Sequence, residues 1–107
     1  MNYLPVKKYA NADLEKKKIL EENKEKSGVY CWRNLVNGKM YIGSSVDLGT
    51  RFRQYFNINH LEYKLQKCNS LIYRALLKYG YSNFSLEIIE YCKYLIQLPE
   101  NNTSWIN

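Results

Sequence analysis

An α+β domain, a small antiparallel sheet with helices against it, is what this sequence predicts, on three observations. Residues 27–34 and 39–43 read as strands around an Asn37-Gly38 turn signal, because Asn and Gly tolerate the positive φ that hairpin turns require. Two segments downstream, 46–55 and 71–79, carry apolar residues at helical spacing. A last alternating run at 83–91 adds a third strand. The expected order is hairpin, helix, helix, strand, hence a three-stranded antiparallel sheet flanked by helices. A chain of 107 residues has room for one such core and no second.

Each element has a local reason. Residues 1–11, with Pro5 and the Lys7-Lys8 pair, read as an extended tail. Residues 12–25 favour helix by propensity, but only Leu14, Ile19 and Leu20 are aliphatic, so the helix is expected to lie on the domain rather than in its core. On the first strand Val29, Cys31 and Arg33 share one face and Tyr30 and Trp32 the other. Ser44-Ser45 offers an N-cap to the helix at 46–55, Asp47 suits its first turn, and Leu48, Phe52 and Tyr55 line its apolar face. Residues 57–69 are polar and irregular and read as a loop. Asn69-Ser70 caps the next helix, where Leu71, Ala75, Leu76 and Tyr79 recur at helical spacing until Gly80. Phe84, Leu86 and Ile88 stand in register on the third strand. Beyond it, 93–98 suggests a turn of helix stopped by Pro99, and 100–107 reads as frayed. The chain thus divides into 1–26, tail and helix; 27–93, the globular domain; and 94–107, a divergent tail.

Charge narrows the function classes. The formal net charge is +6 and the sequence pI about 9.2. Residues 27–94 hold nine Lys or Arg against four acids, so the excess sits in the globular part. Such a domain favours phosphate-rich partners, because neutralising phosphates releases condensed counterions. Cys31, Cys68 and Cys92 form no CxxC pair, and with one His in the chain no zinc site can be assembled locally. They read as buried, reduced thiols. No apolar run is long enough to span a membrane, and the N-terminus reads poorly as a targeting signal.

The sharpest feature is Gly28-Val29-Tyr30 followed by Tyr41-Ile42-Gly43 on paired strands, with Asp47 and Arg51 on the helix that follows. The stretch SGVYCWRNLVNGKMYIGSSVDLGTRFRQYF resembles the opening of GIY-YIG nucleases. The run NSLIYRALLKYGYSNFSLEIIEYC is similar to fungal mitochondrial intron-encoded endonucleases, and so is the leading segment NADLEKKKILEENKEKSG. The resemblance covers roughly residues 9–93.

It implies a metal-dependent endonuclease that hydrolyses phosphodiesters of double-stranded DNA during group I intron homing. By that resemblance Tyr30 acts as general base or positions the attacking water, Tyr41 supports it through its hydroxyl, and Arg51 contacts the scissile phosphate through its forked, permanently charged guanidinium. A free phenol titrates near 10, so a tyrosine becomes a base only beside a metal or cation. Gly43 lets the backbone come close where a Cβ would obstruct it. Arg53 and Arg74 fit phosphate contacts and equally a solvated face. The role of Tyr55 is open, and His60, in the polar segment, is expected to be exposed.

The family binds Mg²⁺ or Mn²⁺ through a Glu on a helix after the third strand. Here only Glu100 falls near that place, just after Pro99 and without a helix-forming context. The resemblance therefore implies a nuclease fold whose metal ligand is Glu100 or is lost. The alternatives are a catalytically silent nucleic-acid-binding remnant and an intron splicing helper. A monomer is expected, made and acting in the mitochondrion.

Overall fold

The computed structural model describes residues 4–93 and, by its backbone, the strand at 103–106. In chain order the elements are β1 (Lys7–Tyr9), α1 (Lys16–Glu22), β2 (Ser27–Asn34), β3 (Met40–Ser45), α2 (Leu48–Tyr55), α3 (Ile58–Leu65), α4 (Leu71–Tyr79), β4 (Phe84–Cys92) and β5 (Thr103–Ile106). One sheet has the order β1-β4-β2-β3-β5, and every pairing is antiparallel. The α+β class and the three central strands stand as expected, and the sheet gains a strand at each edge. Lys7–Tyr9, read as tail, pairs with β4, and Thr103–Ile106, read as frayed, pairs with β3. Both strands are too short to show a period of their own. Their pairing comes from the open edges of β4 and β3, whose backbone groups need partners.

The hairpin closes through a longer loop than a two-residue Asn-Gly turn. The Asn34 amide donates to the Lys39 carbonyl at 2.9 Å, and the Gly38 amide donates to the Asn34 carbonyl at 2.8 Å. Gly38 alone in this loop takes a positive φ, 78°. The buried Asn34 side chain organises the loop by accepting from the Val36 amide at 2.8 Å. β2 pairs Tyr30 with Gly43 and Trp32 with Tyr41, and it carries an irregularity against β4 between Val29 and Tyr30.

The helices cover the face that presents Tyr30 and Trp32. Trp32 is enclosed by the rings of Phe52, Tyr55, Phe56 and Phe84, with centroids 5.2–6.4 Å away. Such pairs each contribute about 1 kcal/mol beyond area burial. The expected faces Leu48-Phe52-Tyr55 and Phe84-Leu86-Ile88 are fully buried. The cap of α2 is Asp47 rather than Ser44-Ser45: its carboxylate accepts from the Thr50 amide at 3.1 Å, while Ser45 Oγ accepts from the Asp47 amide.

Three further expectations change. Residues 57–69 contain α3, capped by Asn57 accepting from the His60 amide and anchored by buried Leu61. A single buried residue in eight gives little periodicity to read. α1 sends one side chain, the fully buried Ile19, into the core, and ahead of the helix Ala12 is fully buried while Leu14 is exposed. On α4 the buried face is Ile72, Tyr73, Ala75 and Leu76, with Leu71 exposed. Of the thiols Cys31 is buried, Cys92 partly so and Cys68 exposed.

Candidate active site

The hairpin, α2 and the start of α4 meet around one side chain. Arg51 is on the inward face of α2, one turn from Asp47 and four residues before Tyr55, and only 4% of it is exposed. Its Nη1 donates to the Tyr73 hydroxyl at 2.7 Å and to Gln54 Oε1 at 3.1 Å, and its Nη2 donates to the Tyr55 hydroxyl at 3.3 Å. The guanidinium carbon sits 4.2 Å from the centre of the Tyr55 ring and 5.5 Å from that of Tyr73, a cation–π arrangement that strengthens with desolvation. All these partners are neutral oxygens or ring faces. Nε has no hydrogen-bond partner among the described residues.

Tyr30 stands behind this group. It is fully buried, and its hydroxyl lies 2.9 Å from that of Tyr55, so Tyr55 links Tyr30 to Arg51. Gly43, opposite Tyr30 across the hairpin, makes that possible, because a Cβ there would lie 2.5 Å from the Tyr30 hydroxyl. Tyr41, by contrast, lines an open cleft of about 450 Å³ with Arg51, Gln54, His60, Lys64 and Tyr73. Burial, then the neighbouring Tyr79, pushes the Tyr41 phenol above its ordinary value. Burial works to lower the Arg51 pKa, but the phenols of Tyr55, Tyr30 and Tyr73 prevail and raise it. His60 is half-buried rather than exposed, its ring 6.1 Å from that of Tyr73. Burial, then Lys64 and Arg51, hold its pKa below 6.5.

The structure thus gathers Tyr30, Tyr41, Gly43 and Arg51 within one region. Arg53 is exposed and donates to Thr50 Oγ1 at 3.0 Å, away from the cleft. Arg74 is exposed, bound to Asn69 Oδ1, and lines an adjacent hollow. Glu100 lies outside the described residues. The sequence reading missed Tyr73, Gln54 and Lys64 and left Tyr55 open. Tyr55 was findable, being four residues from Arg51 on one helix; Tyr73, 22 residues away, meets Arg51 only through the packing of α4.

With this geometry in view, the GIY-YIG catalytic domain family matches residues 26–106. The chain belongs to that family. It is 37% identical over 90 residues to the Probable intron-encoded endonuclease 1 of Neurospora crassa, a match covering 78% of this chain and 27% of the fungal protein. The chain therefore spans about a quarter of the length of that curated relative. No solved structure matches it. In GIY-YIG terms, the hairpin register explains the two tripeptides: the final Tyr of Gly28-Val29-Tyr30 needs the final Gly of Tyr41-Ile42-Gly43 beneath its hydroxyl.

Proposed function

We propose that this chain is the nuclease domain of an intron-encoded homing endonuclease, acting as a monomer that hydrolyses a phosphodiester of double-stranded DNA at the Arg51 cleft. The observation that carries this reading is the buried guanidinium itself. It is held by neutral oxygens, has an unpartnered Nε, and has no carboxylate beside it among the described lining residues. A buried charge left in that state favours an incoming anion, and a phosphate matches its planar fork.

In the reaction water attacks phosphorus and releases a proton to solvent, the bond to the departing sugar oxygen breaks and that oxygen takes a proton from solvent, and charge gathers on the phosphoryl oxygens in between. Arg51, preorganised by Tyr55, Tyr73 and Gln54, neutralises that charge. Tyr41, its pKa raised, stays protonated near neutrality, so it donates a hydrogen bond or orients the water rather than accepting the proton. Tyr30 acts on Arg51 through the Tyr55 hydroxyl.

The family implies Mg²⁺ or Mn²⁺. The described lining does not fit a hard divalent cation, which seeks carboxylate and other oxygen ligands, because the charged groups there are Arg51 and Lys64. Glu100, the acid that the sequence nominates, lies outside the described residues. The lining also favours one alternative, a catalytically silent domain that binds nucleic acid. The Neurospora relative's name supports an intron setting, and the group I intron and mitochondrial site of action are proposed on the family resemblance.

Plasmid nicking tests the proposal, run with Mg²⁺, with Mn²⁺ and with chelator, on wild type, Arg51→Ala and Glu100→Ala. Metal-dependent nicking lost in both variants supports the nuclease reading with Glu100 as ligand. Folded wild-type protein that nicks in no condition would sink the nuclease reading.

A further inference from the structure

Next to the Arg51 cleft lies a second, shallow and largely open hollow, formed where the end of α3 turns into the start of α4. The two hollows share Cys68, Asn69 and Leu71 along their common border, so they adjoin on one surface. The second hollow is lined by Lys67 and Arg74, and Lys64 stands on the wall of the first. No Asp or Glu lines either hollow among the described residues.

These cations are held ready and left unneutralised. The Arg74 guanidinium is bound to the neutral Asn69 amide oxygen, and Lys67 Nζ sits 5.2 Å from the centre of the Tyr63 ring. The ion pairs of the described residues are Lys7–Glu22 and Arg33–Glu87, both elsewhere. Three positive side chains in two adjoining hollows repel one another, and on an ordinary solvated face carboxylates are interspersed among them. A surface of one sign across neighbouring hollows suits a polyanion that lies over it.

We propose that the Lys67–Arg74 hollow is a second phosphate subsite, seating the backbone of the same duplex DNA strand next to the phosphate on Arg51. This rests on the nuclease reading for its choice of DNA. The two hollows give the strand two anchors of different kinds. Arg51 is buried and grips a single phosphate by hydrogen bonds, whereas Lys67 and Arg74 are exposed and act by charge. Contacts of the second kind position the strand in the cleft and carry no base information.

The test is binding of a short duplex DNA by the full chain, followed by fluorescence anisotropy over a salt series. The variants are Lys67→Gln, Arg74→Gln and the double, with Lys17→Gln, on a helix that lines neither hollow, as control. Each phosphate contact removed lowers the slope of log K against log salt by about 1. The expected result is a slope smaller by about 1 in each single variant and about 2 in the double, with Lys17→Gln unchanged. Circular dichroism verifies folding, and Lys67→Arg should keep the slope.

A slope unchanged in the double variant overturns the proposal, and so does a loss equal to that of Lys17→Gln. A change seen with an RNA duplex of the same sequence and not with DNA also overturns it, in favour of an RNA-binding face. The readout is separate from cleavage. A chain that never nicks but shows the slope change keeps the subsite and loses the nuclease reading; one that nicks with an unchanged slope does the reverse.

Discussion

Two tyrosine networks hold this molecule, and they end differently. The first ties the N-terminal segment to the sheet. Buried Asn23 donates to the Tyr9 hydroxyl at 3.1 Å and to the Ile19 carbonyl at 2.8 Å, and accepts from the Tyr91 hydroxyl at 2.6 Å. Tyr9 in turn donates to Glu22 at 2.9 Å, which also pairs with Lys7 at 3.1 Å. The second joins Tyr30, Tyr55 and Tyr73 to Arg51. In the first, each donor meets an acceptor and the charge is closed by an opposite charge. In the second, phenols surround a cation that no described carboxylate neutralises, and one nitrogen is left over. The same side chain serves stability where the network is complete and binding where it is not.

The comparison is broken most decisively at its charged centre. Arg51→Lys keeps the charge but loses the fork, so nicking should fall by about 10²-fold or more, while chemical denaturation shifts far less. Equal losses of activity and stability would make the second network as structural as the first. Asn23→Ala probes the other side. Stranding the Tyr9 and Ile19 groups, which are buried, and the partly buried Tyr91 hydroxyl should cost about 2–3 kcal/mol in urea denaturation, with nicking per folded molecule unchanged. Gly43→Ala tests both at once, since its Cβ would collide with the Tyr30 hydroxyl. About 1–3 kcal/mol of destabilisation is expected, and the displaced Tyr30–Tyr55 pair should lower nicking as well.

The smallest effects are titrations. The Glu22 carboxyl is held below its ordinary 4.5, first by the Tyr9 hydrogen bond and then by Lys7. Its contribution is therefore present above about pH 4.5 and lost as pH falls through the folded value. Glu22→Gln should remove that acid limb from the pH–stability curve. His60, the single histidine, should titrate below 6.5 by NMR in the free protein. Its pKa should rise when duplex DNA is added, because phosphate favours the imidazolium; a value unmoved by DNA would place His60 away from bound strand.

Legibility followed locality. Ser27–Asn34 could be bounded from sequence because alternation, flanking turn residues and β-branched or aromatic side chains coincide there. The faces of α2 and β4 were readable for the same reason. α3 was hidden because Leu61 is its one buried residue, and α4 shifted its buried face toward Tyr73 to meet Arg51. The buried role of α1 rests on Ile19 and on Asn23, a polar residue whose partners lie 14 and 68 positions away.

By itself, then, the sequence determined the hairpin, the two main amphipathic helices, the third strand, the basic character, and the motif residues Tyr30, Tyr41, Gly43 and Arg51. These follow from short-range periodicity, turn chemistry and residue type. The tertiary structure alone decided which phenols line the cleft, that Tyr55 and Tyr73 clamp Arg51, that the hollow of Lys67 and Arg74 adjoins it, and that two short strands complete the sheet. Those depend on contacts between distant segments, where packing and unmet backbone hydrogen bonds, rather than local pattern, select the partner.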